Sequence, residues 1–306
     1  MRVTFNAFPD TLLGRLQSLG SEQNKALTQL STGQRISAPS DDAPAMQRIL
    51  SLRTEKKQNQ QFHRNASDGL ERSKVTFSSL EQIKDVLVRC SELSAGISGA
   101  SSENEYFAKS SEINQLIEQG LNAGNIKMRG SYLSAADAPE NPAYTATRDS
   151  QTNKISAIAY AGSQSDSAIR INEDAEIKVG SSVSENEQIA VLLNKLISLR
   201  DAMDAPASAT KSNAVIQMRS QGTNNLDELE NNILSAISRA GTVQYRLETA
   251  MRDLEVRYEG TEQMISKDAD VDFAEATVRL NRSQMAYQAA IQSGAMIQRN
   301  SLLDFV

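Results

Sequence analysis

The chain of 306 residues has no tryptophan, one cysteine and one histidine, and aromatic residues make up only 5% of it. Because Cys90 is alone, no intramolecular disulfide can form, and His63 has no second histidine or cysteine with which to hold a metal. We interpret Cys90 as a small buried helix residue and His63 as a solvated one. The scarcity of aromatic rings favours an extended helical body over a compact enzyme, since aliphatic side chains fill the seam between two helices.

Long apolar runs and one-sided charge are also absent. No window approaches 18 uncharged apolar residues, so we predict no membrane span. The formal net charge is -6, and acidic and basic residues are mixed rather than gathered into a basic stripe, which argues against nucleic-acid binding. The N-terminus lacks the features of a cleaved secretory signal. No phosphate loop, metal-binding helix or nucleophile elbow is present, so we predict neither an enzyme nor a cofactor.

Apolar residues recur with helical spacing towards both ends of the chain. Between Leu226 and Leu254 they occupy the two seam positions of a heptad repeat. We expect this segment to hold the monomer together by packing on the second and fourth helices of the chain. The residues predicted to form this rod core are Phe77, Leu80, Leu87, Leu226, Leu229, Ile233, Val243, Leu247 and Leu254.

The first predicted helix spans about Phe8 to Leu30, and the last starts at Phe273. Their apolar stripes continue almost to the ends of the chain, where the last residues form an apolar tail that no following element covers. We therefore predict that both helices are poorly ordered alone and fold against neighbouring copies. The residues predicted to make these contacts are Leu12, Leu16, Leu19, Leu27, Leu30, Phe273, Leu280, Tyr287, Ile291, Leu302, Leu303 and Phe305.

A connector with helix-ending and helix-starting residues follows the first helix. Gly33 can take the left-handed conformation that closes a helix. Ser40, Asp41 and Asp42 offer side-chain oxygens to the free amides of the second helix, and their charge suits its positive end.

Three alternating aspartates, Asp268, Asp270 and Asp272, resemble the start of a calcium loop. The glycine and the closing glutamate that such a loop needs are replaced by Phe273 and Arg279. We therefore predict that these aspartates cap the last helix.

Glycine, proline and short alternating apolar runs are concentrated between residues 125 and 184, which predicts strands and turns. We expect a mainly α fold, an elongated helical bundle or coiled-coil rod built from both chain ends, with a small β-rich insertion at its tip. The predicted segments are an assembly helix with connector (1–42), rod helices (43–124), the β-rich outer domain (125–184), rod helices (185–267) and a second assembly helix (268–306).

Two sets of motifs resemble those of the bacterial flagellin family. Residues 30–36, Leu-Ser-Thr-Gly-Gln-Arg-Ile, and residues 39–45, Pro-Ser-Asp-Asp-Ala-Pro-Ala, are similar to its N-terminal signature. Residues 270–276, 287–290 and 301–306 are similar to its closing helix. Together the matches cover roughly the first 95 and the last 95 residues, and they are specific in spacing and composition.

Within the family, residues 1–3 and 303–306 resemble members that join the flagellar hook to the filament more than they resemble filament flagellin. Residues 130–133 and 160–162 resemble the outer domain of those members. The resemblance implies a structural protein that forms the junction between hook and filament. A short filament flagellin is the nearest alternative, and a coiled-coil interaction protein unrelated to flagella is a further one.

The resemblance also implies a set of partners and a location. The chain would leave the cell unfolded through the flagellar export channel, with an export chaperone on its C-terminal region. It would then assemble with copies of itself in a ring, between neighbouring hook-associated and filament proteins of the extracellular flagellum. The β-rich insertion would face outward.

Overall fold

The computed structural model describes residues 7–97, 101–135, 140–205 and 226–303. A mainly α fold with a small strand-containing part is confirmed. Among the described residues no helix is both long and apolar enough to cross a membrane. The helices in these ranges are α1 (Ala7–Thr32), α2 (Ala43–Ala95), α3 (Glu103–Gly124), α4 (Val183–Asp204), α5 (Leu226–Ala269) and α6 (Phe273–Leu303).

Six short strands lie between α3 and α4 and form three antiparallel pairs, β1 with β2, β3 with β4 and β5 with β6. Three of the alternating apolar runs that predict strands, at residues 155–160, 168–171 and 176–179, contain the last three strands. The turn between the first two strands contains Arg129 and Gly130, both with positive φ, as two-residue hairpin turns require. The strands are β1 (Lys127–Met128), β2 (Ser131–Tyr132), β3 (Tyr144–Arg148), β4 (Ile155–Tyr160), β5 (Ala168–Arg170) and β6 (Glu176–Lys178).

The chain divides into two compact units. The terminal unit consists of Met1–Gln58 and Val256–Val306, and the central unit of Asn59–Glu255. This division lies inside α2 and α5, whereas the sequence placed boundaries at the connectors after residue 42 and before residue 268. The difference arises because the first part of α2 and the last part of α5 pack with the connectors.

The central unit has an apolar core that α2, α3, α4 and α5 share. Leu226, Leu229 and Ile233 lie in its largest cluster, and Val243 and Leu247 lie in a second cluster with Ala66 of α2. Leu80, Leu87 and Leu254 are also buried, and Phe77 is half-buried against the core. Their contribution to stability stays a prediction.

The strands contribute side chains to the helical core instead of forming a separate one. Tyr144, Ile155 and Ile158 belong to the largest cluster. Ile177 and Val179 belong to the second cluster, on α2 and α5. The strand segment is therefore held by the same apolar contacts that hold the helices.

A buried polar group also fixes the strand segment. Asn186 of α4 is fully buried. Its Oδ1 accepts hydrogen bonds from the hydroxyls of Tyr144 at 3.1 Å and Ser181 at 2.6 Å. Its Nδ2 donates to the carbonyl oxygen of Ser134 at 3.0 Å. Because a buried polar group is costly without partners, these bonds tie one position of α4 to three points of the strand segment.

Cys90 lies in the largest cluster of the central unit with no exposed surface. Burial raises the pKa of its thiol to about 12. The thiol is therefore protonated at neutral pH and acts as a small apolar core group.

Candidate assembly surface

The first and last helices of the chain, α1 and α6, pack along each other in the terminal unit. Gly294 provides close contact, since a Cβ atom there would lie 2.5 Å from Cδ2 of Leu12. On α1, Ala26 and Gln29 are buried. On α6, the buried residues are Ala276, Ser283 and Gly294, which are spaced seven and eleven apart and so lie on one face.

The residues predicted for contacts between copies divide into three groups. Six are half-buried, namely Leu12, Leu16, Leu19, Leu30, Leu280 and Tyr287. Three are exposed, namely Leu27, Phe273 and Ile291. The side chains of Leu302, Leu303 and Phe305 lie outside the described part of the chain. The half-buried group is thus partly covered within one chain, and its role between copies stays a prediction.

Sequence reasoning missed a second apolar row on α6. Val278, Met285 and Met296 are 50%, 61% and 65% exposed. Each lies two positions after a buried residue of the α1-facing set, so the row is turned by about 200° and lies on the opposite side of the helix. We call these three residues the outer stripe. Their repeat of seven and eleven was the available signal, but it was overlooked beside the stronger row at Phe273, Leu280 and Tyr287.

The connector after α1 pairs with the one before α6. Gly33 has a φ of 71°, the left-handed conformation expected at the end of a helix. Its carbonyl oxygen accepts a hydrogen bond from the Val271 amide at 3.0 Å. The amide of Arg35 donates to the carbonyl oxygen of Ala269 at 2.6 Å. Gln34 and Asp270 form an isolated antiparallel bridge.

Arginine side chains tie the same region together, a role not foreseen from the sequence. The guanidinium of Arg48 donates two hydrogen bonds to the Asp268 carboxylate, at 3.0 and 3.2 Å. Arg35 donates to the carbonyl oxygen of Asp268 at 2.9 Å. The hydrogen bond from Arg48 lowers the pKa of Asp268. The start of α2 and the end of α5 are therefore joined by charge as well as by packing.

The three predicted capping residues before α2 have different positions. Asp42 accepts a hydrogen bond from the Ala45 amide at 3.1 Å and so caps α2. Asp41 instead binds the preceding loop and pairs with Lys25 of α1 at 2.7 Å. Ser40 lies exposed in the turn.

The prediction that Asp268, Asp270 and Asp272 cap the last helix is confirmed for Asp272 and wrong for the other two. The carboxylate of Asp272 accepts hydrogen bonds from the amides of Ala274 at 2.9 Å and Glu275 at 3.1 Å. Asp268 is engaged by Arg48, and Asp270 accepts a hydrogen bond from Ser266. The three aspartates therefore bind three different groups.

A small apolar cluster lies beneath these polar contacts. Ile36 of the connector, Ala45 and Ile49 of α2, and Ala269 of α5 are all buried in it. The connector is therefore held in place by buried apolar contacts as well as by hydrogen bonds, and it lies beside the ends of α1 and α6 that pair.

Two family models match the chain. The bacterial flagellin N-terminal helical region matches residues 6–136, and the bacterial flagellin C-terminal helical region matches residues 223–306. Together they cover more than two thirds of the sequence. The chain belongs to the bacterial flagellin family, and it is a structural protein of that family.

Individual relatives agree with this membership. The flagellin of Bacillus subtilis (strain 168) is 23% identical over 300 residues, which are 95% of this chain and 94% of the relative. A solved structure from Vibrio parahaemolyticus, assigned to a flagellar hook-associated protein, is 14% identical with a TM-score of 0.63 over 75% of this chain and 100% of that one. The flagellar junction protein FlgL from Legionella pneumophila is 11% identical with a TM-score of 0.54 over 73% and 100%. At these identities the two structures show a shared fold.

Proposed function

We propose that this chain is the flagellar component that joins hook to filament. The observation that carries the proposal is that the shared fold extends over the whole solved chain of the Legionella junction protein. The motif resemblances at residues 1–3, 130–133, 160–162 and 303–306 support the same member of the family. The chain would act by assembling with its own copies in a ring.

A second candidate is a short filament flagellin. The similarity to Bacillus subtilis flagellin favours it, because that match extends over nearly the whole of both sequences. A filament subunit would polymerise without limit, whereas a junction subunit would stop at a ring.

Self-association would use the terminal unit. Pairing of α1 with α6 covers one face of each helix, while the outer stripe and Leu13 of α1 remain exposed. A large apolar side chain contributes about 2 kcal/mol when it is fully buried, before ordering costs. Several such contacts in each copy would be needed to hold a ring together.

Export and partners complete the proposal and rest on family resemblance. The chain would pass unfolded through the flagellar export channel with a chaperone on its C-terminal region. The outer stripe supports this, since it is an apolar row in that region that a carrier would cover. In the extracellular flagellum the ring would contact hook-associated proteins on one side and filament on the other.

The junction role is tested by deleting the gene and imaging flagella by electron microscopy. We expect hooks of normal length that lack filaments, with secreted flagellin in the medium. Normal filaments in the deletion strain would exclude the junction role.

The filament role is tested with the purified chain. A junction protein should form no long polymers when it is concentrated and seeded with filament fragments. Growth of long filaments from this protein alone would establish the flagellin alternative instead.

A further inference from the structure

The β3–β4 hairpin is a two-stranded sheet, paired from Tyr144 with Tyr160 to Arg148 with Ile155. Each strand of such a sheet has one outer edge, where backbone amides and carbonyls have no strand beside them. Open edges pair readily with a strand of another molecule. A protein that packs many copies side by side exposes such edges at high local concentration.

Asparagine side chains occupy both outer edges of this hairpin. At β3, the Tyr144 amide donates to Oδ1 of Asn125 at 2.9 Å, and Nδ2 of Asn125 donates to the Tyr144 carbonyl oxygen at 2.8 Å. Asn125 is itself held as the C-cap of α3, where its own amide donates to the carbonyl oxygen of Leu121.

The edge of β4 is covered in the same way. The Ile158 amide donates to Oδ1 of Asn194 at 3.0 Å, and Nδ2 of Asn194 donates to the Ile158 carbonyl oxygen at 2.6 Å. The same Nδ2 also donates to the Ala190 carbonyl oxygen of α4 at 2.8 Å. One side-chain amide, with its adjacent donor and acceptor, thus replaces one residue of a neighbouring strand.

Other features protect the far end of the hairpin. The ladder shifts register between Thr147 and Arg148, and such irregularities disrupt further pairing. The Arg148 guanidinium binds the Glu118 carboxylate of α3 at 2.5 and 2.8 Å. A charged side chain at the edge also disfavours an added strand.

We infer that Asn125 and Asn194 contribute to the specificity of self-association, because each binds the outward amide and carbonyl of one edge residue and so disfavours strand pairing with a second copy at that position. Alanine or leucine at either position would leave one amide and one carbonyl of the strand open to a second copy. The inference depends on the proposed function only in taking self-association as the natural state of the chain.

The test compares Asn194→Ala with Asn122→Ala, a control that removes an exposed asparagine from α3. Both proteins also carry Ala159→Cys on the exposed side of β4, and they are treated with a short bismaleimide. Cys90 is buried and should not react while the chain is folded. We expect about tenfold more hairpin-linked dimer for Asn194→Ala than for the control. Equal yields for the two proteins at matched concentration would overturn the inference.

A rescue variant separates edge pairing from general unfolding. Ser156→Lys adds a charge to β4 two residues before Ile158 and should return the dimer yield of Asn194→Ala to that of the control. Circular dichroism and thermal melting establish whether each variant is folded. If Asn194→Ala unfolds, Asn125→Ala takes its place and is compared with Asn122→Ala. Equal dimer yields for these two variants would contradict the inference. If the unmodified chain fails to assemble into a ring, the yields of hairpin-linked dimer do not change. Failure of the inference can therefore be distinguished from failure of the proposed function.

Discussion

Single residues fix how the strand segment lies on the helices. Gly124 at the end of α3 packs against the ring of Tyr144, and a Cβ atom there would lie 2.8 Å from Cε2 of that ring. The ring is fully buried and its hydroxyl is bound by Asn186, so it has little room to move. Position 124 therefore has no room for a side chain larger than that of glycine.

Gly124→Ala should lower the free energy of unfolding by about 1–3 kcal/mol, because the added methyl group overpacks the contact with Tyr144. Gly241→Ala is the matched control on α5, where an added Cβ meets nothing within 4 Å. Alanine should stabilise that helix by up to about 1 kcal/mol. Urea denaturation measures the free energy of unfolding of both variants. Equal changes in the same direction would contradict this account of Gly124.

Leu247→Asp should destabilise the central unit by about 3 kcal/mol or more, because a carboxylate would enter the cluster formed by Ala66, Val243 and Ile177. Leu234→Asp is the matched control, since Leu234 lies on the same helix and is 44% exposed. Its cost should stay near 1 kcal/mol or below. Thermal melting distinguishes the two, and a wild-type melting temperature for Leu247→Asp would show that the heptad register is wrong.

Asp41 makes the stability of the fold depend on pH. Its pKa is held well below the usual range, first by the hydrogen bond from Lys25 and then by those from the amides of Ala38 and Ser37. A carboxyl group whose pKa is lowered by folding stabilises the fold above its unfolded pKa of about 3.9, and this contribution is lost as the pH falls through the folded value.

Asp41→Asn should therefore be less stable than wild type at pH 6, and the gap should narrow as the pH is lowered below about 4. Melting temperatures measured between pH 6 and pH 2 test this. Glu22→Gln, which removes a negative charge from the exposed surface of α1, serves as the control for the loss of one surface charge. If the difference in melting temperature between wild type and Asp41→Asn stays constant with pH, the carboxyl group of Asp41 is not the source of the pH dependence.

At the scale of elements, α6 has two apolar rows on opposite sides of the helix. One row faces α1 within the same chain, and the outer stripe of Val278, Met285 and Met296 faces away from it. In the proposed assembly, the first row would hold α6 on α1 while the outer stripe would contact a neighbouring copy.

Met285→Lys should leave the helical content of the monomer unchanged and abolish assembly, because it places a charge in the outer stripe. Asn281→Lys adds the same charge at an exposed polar position of α6 and should assemble normally. Circular dichroism and sedimentation velocity measure the two properties. Normal assembly of Met285→Lys would exclude the outer stripe as a contact surface.

The helices could be predicted from the sequence because their apolar spacing is regular. The heptads at Leu226, Leu229 and Ile233 are buried as that spacing predicts. What periodicity does not specify is the partner of a stripe. Leu280 and Tyr287 are half-buried in a helix that pairs with α1, and their predicted contacts with other copies stay a prediction.

The strand segment was harder to predict in detail. Its alternating runs indicated β4, β5 and β6, but the division into three separate hairpins depends on contacts made far along the chain. Asn194 closes one strand edge from α4, and Gly69 on α2 leaves the room that the Ile169 side chain occupies. Contacts of this kind have no periodic signal, and the arginine pairs around Asp268 were missed for the same reason.

At the scale of the whole molecule, α1 and α6 pack on each other in the terminal unit, and the strand segment belongs to the central unit. Both family models match the end regions, with a gap between residues 136 and 223. The segment between these residues lies outside both family models, while the match to Bacillus subtilis flagellin extends over 95% of the chain.

The measurement that tests the junction role most directly is immunogold electron microscopy of intact flagella, with antibody raised against the strand segment at residues 140–180. The account predicts a single labelled band at the boundary between hook and filament. Label along the whole filament, or none at that boundary when the segment is accessible in the isolated chain, would contradict it.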